Sequence, residues 1–307
     1  MSIKVFGHQS PDTDATGSAI IWSWYLNTKG KEATPYVLGD LNTETKFVLE
    51  YWKLPTPELL ENISANDKVA IVDTNNPKEL FESINEATIL QVIDHHKLVG
   101  GLETKAPLEM ILKPLASCAS VIYTQLSKEA FDQMPKALKG LLLSCILSDT
   151  LGFRSPTTTD FDKKIAHQIA KEVGLENDLE AYAQKMFEAK SDIAAFSDQE
   201  LLKMDSKKYE VNGKKYRISV LETTAPNVVL ERKQSIFNSI EVLKTEEQDT
   251  DEVLLFVIDI LKEEATFFLP NDAVKDLAKK SFNADTEKDT TILPGVVSRK
   301  KQIIPAL

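Results

Sequence analysis

Two cysteines in 307 residues, Cys118 and Cys145, are too few and too far apart for a disulfide framework or a CxxC metal site. Each sits in an apolar helical pattern and reads as a small core residue, which fits a reducing compartment. Long hydrophobic runs are missing as well. No window reaches the roughly 18 apolar residues that span a bilayer, and the opening MSIKVFGHQS has neither the basic segment nor the apolar stretch of a secretory signal. The expectation is a cytoplasmic protein with no membrane partner. Positive charge is in deficit, 36 Lys and Arg against 47 Asp and Glu for a net charge of −11. That balance repels a phosphate backbone at long range, so no nucleic-acid partner is expected and any phosphate contact must be local. Internal repeats and low-complexity tracts are absent too.

What is present is a globular composition, 42% hydrophobic, in a length that suggests two domains. The first half alternates apolar strand-like runs with amphipathic helical stretches: IKVFG, a helix from about Thr13 to Lys29, YVLG, a helix around Lys46 to Lys53, VAIVDT and ILQVIDHH. This is the βαβ rhythm of a parallel sheet with helices on both faces, and its strands are continuously apolar as that burial requires. From Ser117 the pattern turns helical, through SCASVIYTQLSKEAF, PKALKGLLLSCILSDT, DFDKKIAHQIAKEVG and a further helix through Met186. The remainder reads as a smaller α+β domain. It has a hairpin turned at Asn212 and Gly213, a helix near Val229 to Lys244, strands at EVLLFVIDI and ATFFLP, a helix at DAVKDLAKKSF and a basic end, VVSRKKQIIP. The expected fold class is α/β, with domain boundaries of 1–188 and 196–307 around a linker at 189–195.

Four clusters of acids and imidazoles share one position, the end of a buried apolar segment. They are His8, Asp12 and Asp14; Asp73; Asp94, His95 and His96; and Asp149. Three would project from the carboxyl ends of strands in one sheet, where open α/β sheets bind ligands, and the fourth from a helix end. Brought together without counter-charge, these carboxylates would repel one another and force their pKa values up; divalent cations resolve that conflict. Mixed His and Asp donors without thiolates suit Mn²⁺ first, then Fe²⁺, Co²⁺ or Mg²⁺, with zinc less suited. There are donors enough for two ions, with Asp73 on a middle strand placed to bridge them, and paired ions activate water for attack on phosphoryl groups. Each piece also has a plainer reading. Asp14 could cap the helix that begins there, Asp73 could cap a turn with Asn75 and Asn76, and Asp149 could serve a helix end. Consecutive imidazoles at a strand end are harder to assign to packing. His167, among Lys and Gln on an amphipathic helix, reads as a surface residue.

In order and spacing, GHQSPDTDA, VDT, DHH and LSDT resemble the manganese-dependent family II inorganic pyrophosphatases of the DHH phosphoesterase superfamily. The resemblance runs the length of the chain, since LLKMDSKKY resembles the stretch carrying that family's phosphate-binding lysine and VVSRKKQIIP its basic substrate-binding segment. It implies a DHH-type first domain and a DHHA2-like second. It further implies that His8, Asp12 and Asp73 hold one Mn²⁺ while Asp14, Asp73, His95 and Asp149 hold another. Co²⁺ or Mg²⁺ would be possible substitutes, and a further Mg²⁺ or Mn²⁺ would accompany the substrate. Asp12, Asp73, Asp149 and His96 become the catalytic set. Asp94 would orient a histidine ligand through its ring N–H. His96, Lys207, Arg299 and Lys300 would bind pyrophosphate, with Lys208 a close competitor of Lys207. Ser10 and Ala15 stand where the family more often has Asn and Ser. The implied protein is a homodimer joined through its N-terminal domain.

The expected activity is therefore hydrolysis of pyrophosphate to two phosphates by a dimetal-activated water, with Lys and Arg of the second domain clamping the substrate. On an acidic chain the terminal SRKK could instead be a solvated edge. Two rivals share the metal centre. One is another DHH phosphoesterase acting on short oligonucleotides or polyphosphate, whose nucleotide-cleaving members carry a glycine-rich GGGH-like motif absent here. The other is a catalytically silent metal-binding scaffold, which would lack a ligand.

Overall fold

A computed structural model describes every residue except Met1, Ser191, Asp192, Ala194, Ala195 and Gln248, together with all side chains but those of Lys300 and Lys301. The chain forms two compact units, Met1–Lys190 and Ser191–Leu307. The linker expected at 189–195 falls mostly on positions outside the described residues.

The first unit runs β1 (Ile3–Phe6), α1 (Thr13–Thr28), β2 (Ala33–Val37), α2 (Thr43–Trp52), β3 (Glu58–Leu59) and β4 (Lys68–Val72). Two 3-10 turns, Pro77–Glu79 and Ile84–Glu86, precede β5 (Thr88–Asp94) and β6 (Glu109–Leu112). There follow α3 (Cys118–Tyr123), α4 (Lys128–Gln133), α5 (Lys136–Asp149), α6 (Asp160–Val173) and α7 (Leu179–Lys190). The strands pair in parallel in the order β3-β2-β1-β4-β5-β6. The chain moves outward one way from β1 to β2 and β3, then resumes on the other side at β4. The reversal leaves a crevice beyond the carboxyl ends of β1 and β4, where this architecture places ligands.

Val69 and Ile71 face one side of the sheet with Phe6, under Leu60, Ile63, Leu80 and the 3-10 residue Ile84. The other side receives α1 and α3, and α1 packs in turn on α5. Gly17 makes that helix crossing close, because a Cβ there would lie 2.2 Å from Cys145 Sγ. Both cysteines are free and fully buried, as their apolar surroundings predict. Two long helices expected from the sequence are divided. The run that begins at α3 stops at Tyr123, and Ser127 caps a separate helix, α4.

The second unit contains α8 (Asp198–Met204), β7 (Ser206–Val211), β8 (Lys214–Thr223), α9 (Pro226–Leu230), α10 (Lys233–Glu246), β9 (Glu252–Asp259), β10 (Glu264–Phe268), α11 (Asp272–Phe282) and β11 (Thr290–Pro294). A π-helical turn, Arg299–Ile303, leads to α12 (Ile304–Ala306). Its sheet is mixed, in the order β11-β10-β9-β8-β7, with β8 and β9 parallel and the other pairs antiparallel. Alternate residues of β9 serve the two faces: Leu254 and Phe256 pack with Val274 of α11, Val253 and Leu255 with Ile236 and Ile240 of α10. The single helix expected near Val229 to Lys244 is likewise divided, by a short gap at Glu231 and Arg232 between α9 and α10.

Candidate metal centre

Gly7 lets the chain turn tightly off β1, since a Cβ there would lie 2.7 Å from Ala15 Cβ. The turn carries His8 over the start of α1. Asp12 is the N-cap of that helix, its Oδ1 accepting from the Ala15 N–H at 2.9 Å, and its Oδ2 lies 3.8 Å from His8 Nε2. The capping role open to Asp14 thus belongs to Asp12. Asp14 is fully buried instead and accepts from the backbone N–H of Cys118 and of Ala119 and from the Ser18 hydroxyl.

Asp73 follows β4 directly, with φ 59° and its N–H bonded to Ile93 O. A non-glycine residue in this left-handed region is strained, and the strain aims a buried carboxylate into the crevice. One oxygen lies 3.5 Å from His8 Nε2 and the other 3.2 Å from His95 Nε2. Asp73 Oδ1 has no hydrogen-bond partner among the described residues despite its burial. Asp149 ends α5 with Oδ2 3.6 Å from His95 Nε2.

His95 Nδ1 lies 3.2 Å from the carbonyl oxygen of Leu115, so that ring N–H donates there and Nε2 is turned toward Asp14, Asp73 and Asp149, free to offer a lone pair once the ring is neutral. Asp94 was expected to orient a histidine ligand. Its ring partner is His96, whose Nδ1 is 2.8 Å from Asp94 Oδ1, while His95 gives Asp94 only its backbone N–H. The tight turn after β5 explains this: one carboxylate gathers both backbone N–H groups and the nearer ring. His96 is 52% exposed in its side chain and presents Nε2 outward.

Donor atoms thereby form two groups, His8–Asp12–Asp73 and Asp14–Asp73–His95–Asp149, with the atoms of each within 4.8 Å of one another and Asp73 common to both. Asp73, Asp94, His95 and His96 make a third grouping, in which Asp94 is already committed to His96. The cleft above holds about 600 Å³ and is lined by His8, Asp12, Asp73, His95, His96 and Asp149 among others. Without cations the carboxylates of Asp12, Asp14 and Asp149 are held above their ordinary range, first by burial and then by neighbouring carboxylates. Burial opposes charge on His8 and His95, yet their contacts with Asp73 raise both to about 9. Burial opposes the charge on Asp73 as well, and the two imidazoles overcome it and lower its pKa. Crowded acids, imidazoles turned onto them and an orphaned buried oxygen fit two divalent cations.

In the second unit Lys207 and Lys208 are neighbours on β7. Lys208 Nζ lies 2.6 Å from Asp249 and 3.3 Å from Glu247; Lys207 is exposed and has no ion pair among the described residues. The Arg299 guanidinium donates at 2.8 Å to both the backbone and the side chain of Asp205, the residue before β7. The Lys300 side chain lies outside the described residues. His167 is exposed, its ring 5.4 Å from that of Phe153.

Sequence reasoning missed Asn75 as a support. This buried side chain donates to Asp94 and to Lys97 O and accepts from Val99 N–H, fixing the loop beyond His96. It also passed over Lys97, a cation lining the same cleft. An Asn two residues beyond Asp73 was the available signal, read as turn chemistry.

The parallel-sheet first unit, the shared-carboxylate centre at its switch point and the mixed-sheet second unit define a protein of the DHH class. Residues 2–147 match the DHH family, N-terminal domain, and residues 184–307 match the DHHA2 domain. The chain is 35% identical to a manganese-dependent inorganic pyrophosphatase of Methanocaldococcus jannaschii and 36% identical to one of Bacillus subtilis, in each case over 99% of this chain and 97% of the relative. It therefore belongs to the manganese-dependent inorganic pyrophosphatase family. A crystal structure from Methanococcus jannaschii, assigned to the family II inorganic pyrophosphatases, superposes with a TM-score of 0.62 at 34% identity, covering 99% of this chain and 98% of the other. An exopolyphosphatase-related protein of Bacteroides fragilis shares the fold, with a TM-score of 0.51 at 14% identity over 99% of this chain and 89% of its own.

Proposed function

We propose that this protein hydrolyses inorganic pyrophosphate to two phosphates. The observation that carries the reading is the placement of buried Asp73 between two imidazole–carboxylate groups, one oxygen turned to His8 and the other to His95. The family names of its relatives support pyrophosphate as substrate and manganese as cofactor.

His8, Asp12 and Asp73 would hold one Mn²⁺, and Asp14, Asp73, His95 and Asp149 a second, with Co²⁺ or Mg²⁺ as substitutes. Bound there, the cations supply Lewis acidity toward phosphate oxygens and lower the pKa of water. His96 has its pKa raised by the hydrogen bond from its ring to Asp94, so its outward ring nitrogen can carry a proton to a phosphate oxygen. Lys97 at the cleft adds positive charge. From the second unit Lys207, Arg299 and Lys300 would take the remaining phosphate oxygens, and Lys207 is favoured over Lys208 because the latter is engaged by two carboxylates. Asp205 presets Arg299 two residues from Lys207, which concentrates fixed donors for charge that develops in the transition state.

Dimerisation through the first unit is supported by β6, a sheet edge on which Met110 is 41% exposed. Among the described residues no helix is long and apolar enough to cross a membrane. The deciding experiment assays phosphate release from pyrophosphate, a dinucleotide and tripolyphosphate after chelator stripping and add-back of Mn²⁺ or Mg²⁺. Metal-dependent turnover of pyrophosphate above the others is expected; preference for the dinucleotide, or no turnover of any, would overturn the reading.

A further inference from the structure

Glu44 has no solvent exposure at all, which is unusual for an acid in the first turn of a helix. The ordinary reason for such a residue is attraction to the positive end of the helix dipole, and that needs no burial. Here the side chain leaves its own helix. Glu44 Oε2 accepts from the Thr13 hydroxyl at 3.0 Å and from the Ser148 hydroxyl at 2.7 Å. Lys190 Nζ stands 3.6 Å from the same oxygen and supplies a counter-charge, while Oε1 has no partner among the described residues.

The two hydroxyls mark where the contacts matter. Thr13 lies between Asp12 and Asp14 at the start of α1, and Ser148 precedes Asp149 at the end of α5. One oxygen on α2 therefore ties together the segments that bring Asp12, Asp14 and Asp149 into the cleft. Both hydroxyl residues are buried, so without this acceptor the Ser148 O–H must find another partner while the Thr13 O–H falls back on Thr45 Oγ1, 3.2 Å away, and the ligand-bearing backbone moves with them. We propose that Glu44 is a positioning residue for the metal centre, fixing the start of α1 against the end of α5. The inference rests on the metal-binding reading of the cleft.

The test is Mn²⁺ affinity, measured by equilibrium dialysis with metal analysis, with thermal melting recorded in parallel. Glu44→Leu keeps volume and removes the acceptor; it should weaken Mn²⁺ binding by about 10- to 100-fold, the range for residues that support metal ligands. Glu44→Gln retains an acceptor oxygen for both hydroxyls and should restore most of that affinity. Ser148→Ala should weaken binding alone but add little to Glu44→Leu, as expected for one shared contact. A Glu44→Leu protein that melts earlier yet binds Mn²⁺ as the wild type does would overturn the proposal, leaving a purely structural acid. Should that variant not fold, wild-type affinity in Ser148→Ala would overturn it equally. Failure of the wild-type chain to bind Mn²⁺ would instead overturn the metal-centre reading itself.

Discussion

His95 Nε2 lies 3.2 Å from Asp73 Oδ1, and the other oxygen of Asp73 is turned to His8. One side chain thus addresses both candidate ion sites, and each imidazole reaches it from a different strand end. Asp73→Ala should leave fewer than two Mn²⁺ per chain by metal analysis and abolish turnover. Two ions retained in that variant would refute the bridging role.

Metal binding should release protons. His8 and His95, raised to about 9 in the cation-free protein, are protonated at neutral pH and must be neutral to bind; the raised carboxylates of Asp12, Asp14 and Asp149 push in the same direction. Mn²⁺ affinity should therefore climb as pH rises through neutrality and flatten above about 9. Calorimetric titration in buffers of different ionisation enthalpy measures the protons released, and an affinity independent of pH from mildly acidic to alkaline conditions would contradict this.

Lys207 and Lys208 should separate cleanly. Lys207→Ala is expected to lower pyrophosphate turnover by about 10² to 10³, the loss typical of one donor to developing charge, with Mn²⁺ content unchanged. Lys208→Ala breaks contacts to Glu247 and Asp249 and should leave turnover nearly intact. Steady-state kinetics on both decides, and the reverse order would reassign the phosphate contact.

Gly17 controls the spacing of α1 and α5. Gly17→Ala forces a methyl against Cys145 Sγ and should destabilise the fold by about 1–3 kcal/mol, as overpacked cores do. Because Asp14 and Asp149 ride on these helices, Mn²⁺ affinity should fall too. Denaturant unfolding and metal dialysis together test this, and a variant as stable as the wild type would show that the crossing can relax.

Much of the first unit was legible because its central strands are largely apolar runs, broken only by a residue such as Gln91, that stop at acids. Val69–Val72 ends at Asp73 and Ile89–Ile93 at Asp94, so strand ends and candidate site residues announce each other. The short edge strands β3, β6 and β11 carry too few residues and too many polar ones to show a period, and only pairing with a neighbour defines them. Asn75 and Glu44 were hidden for a different reason. Each acts on residues distant in sequence, and the same residue types are common in turns and first helical turns. The split of roles between Asp12 and Asp14 was also invisible, since it depends on which carboxylate meets the N–H groups of Cys118 and Ala119.

Crystals grown with Mn²⁺ and measured at the manganese absorption edge put the central claim to its most direct test. Two anomalous peaks are expected in the cleft of the first unit, one beside His8 and Asp12 and the other beside Asp14, His95 and Asp149, with Asp73 touching both. A single peak, or none within reach of Asp73, would contradict the account.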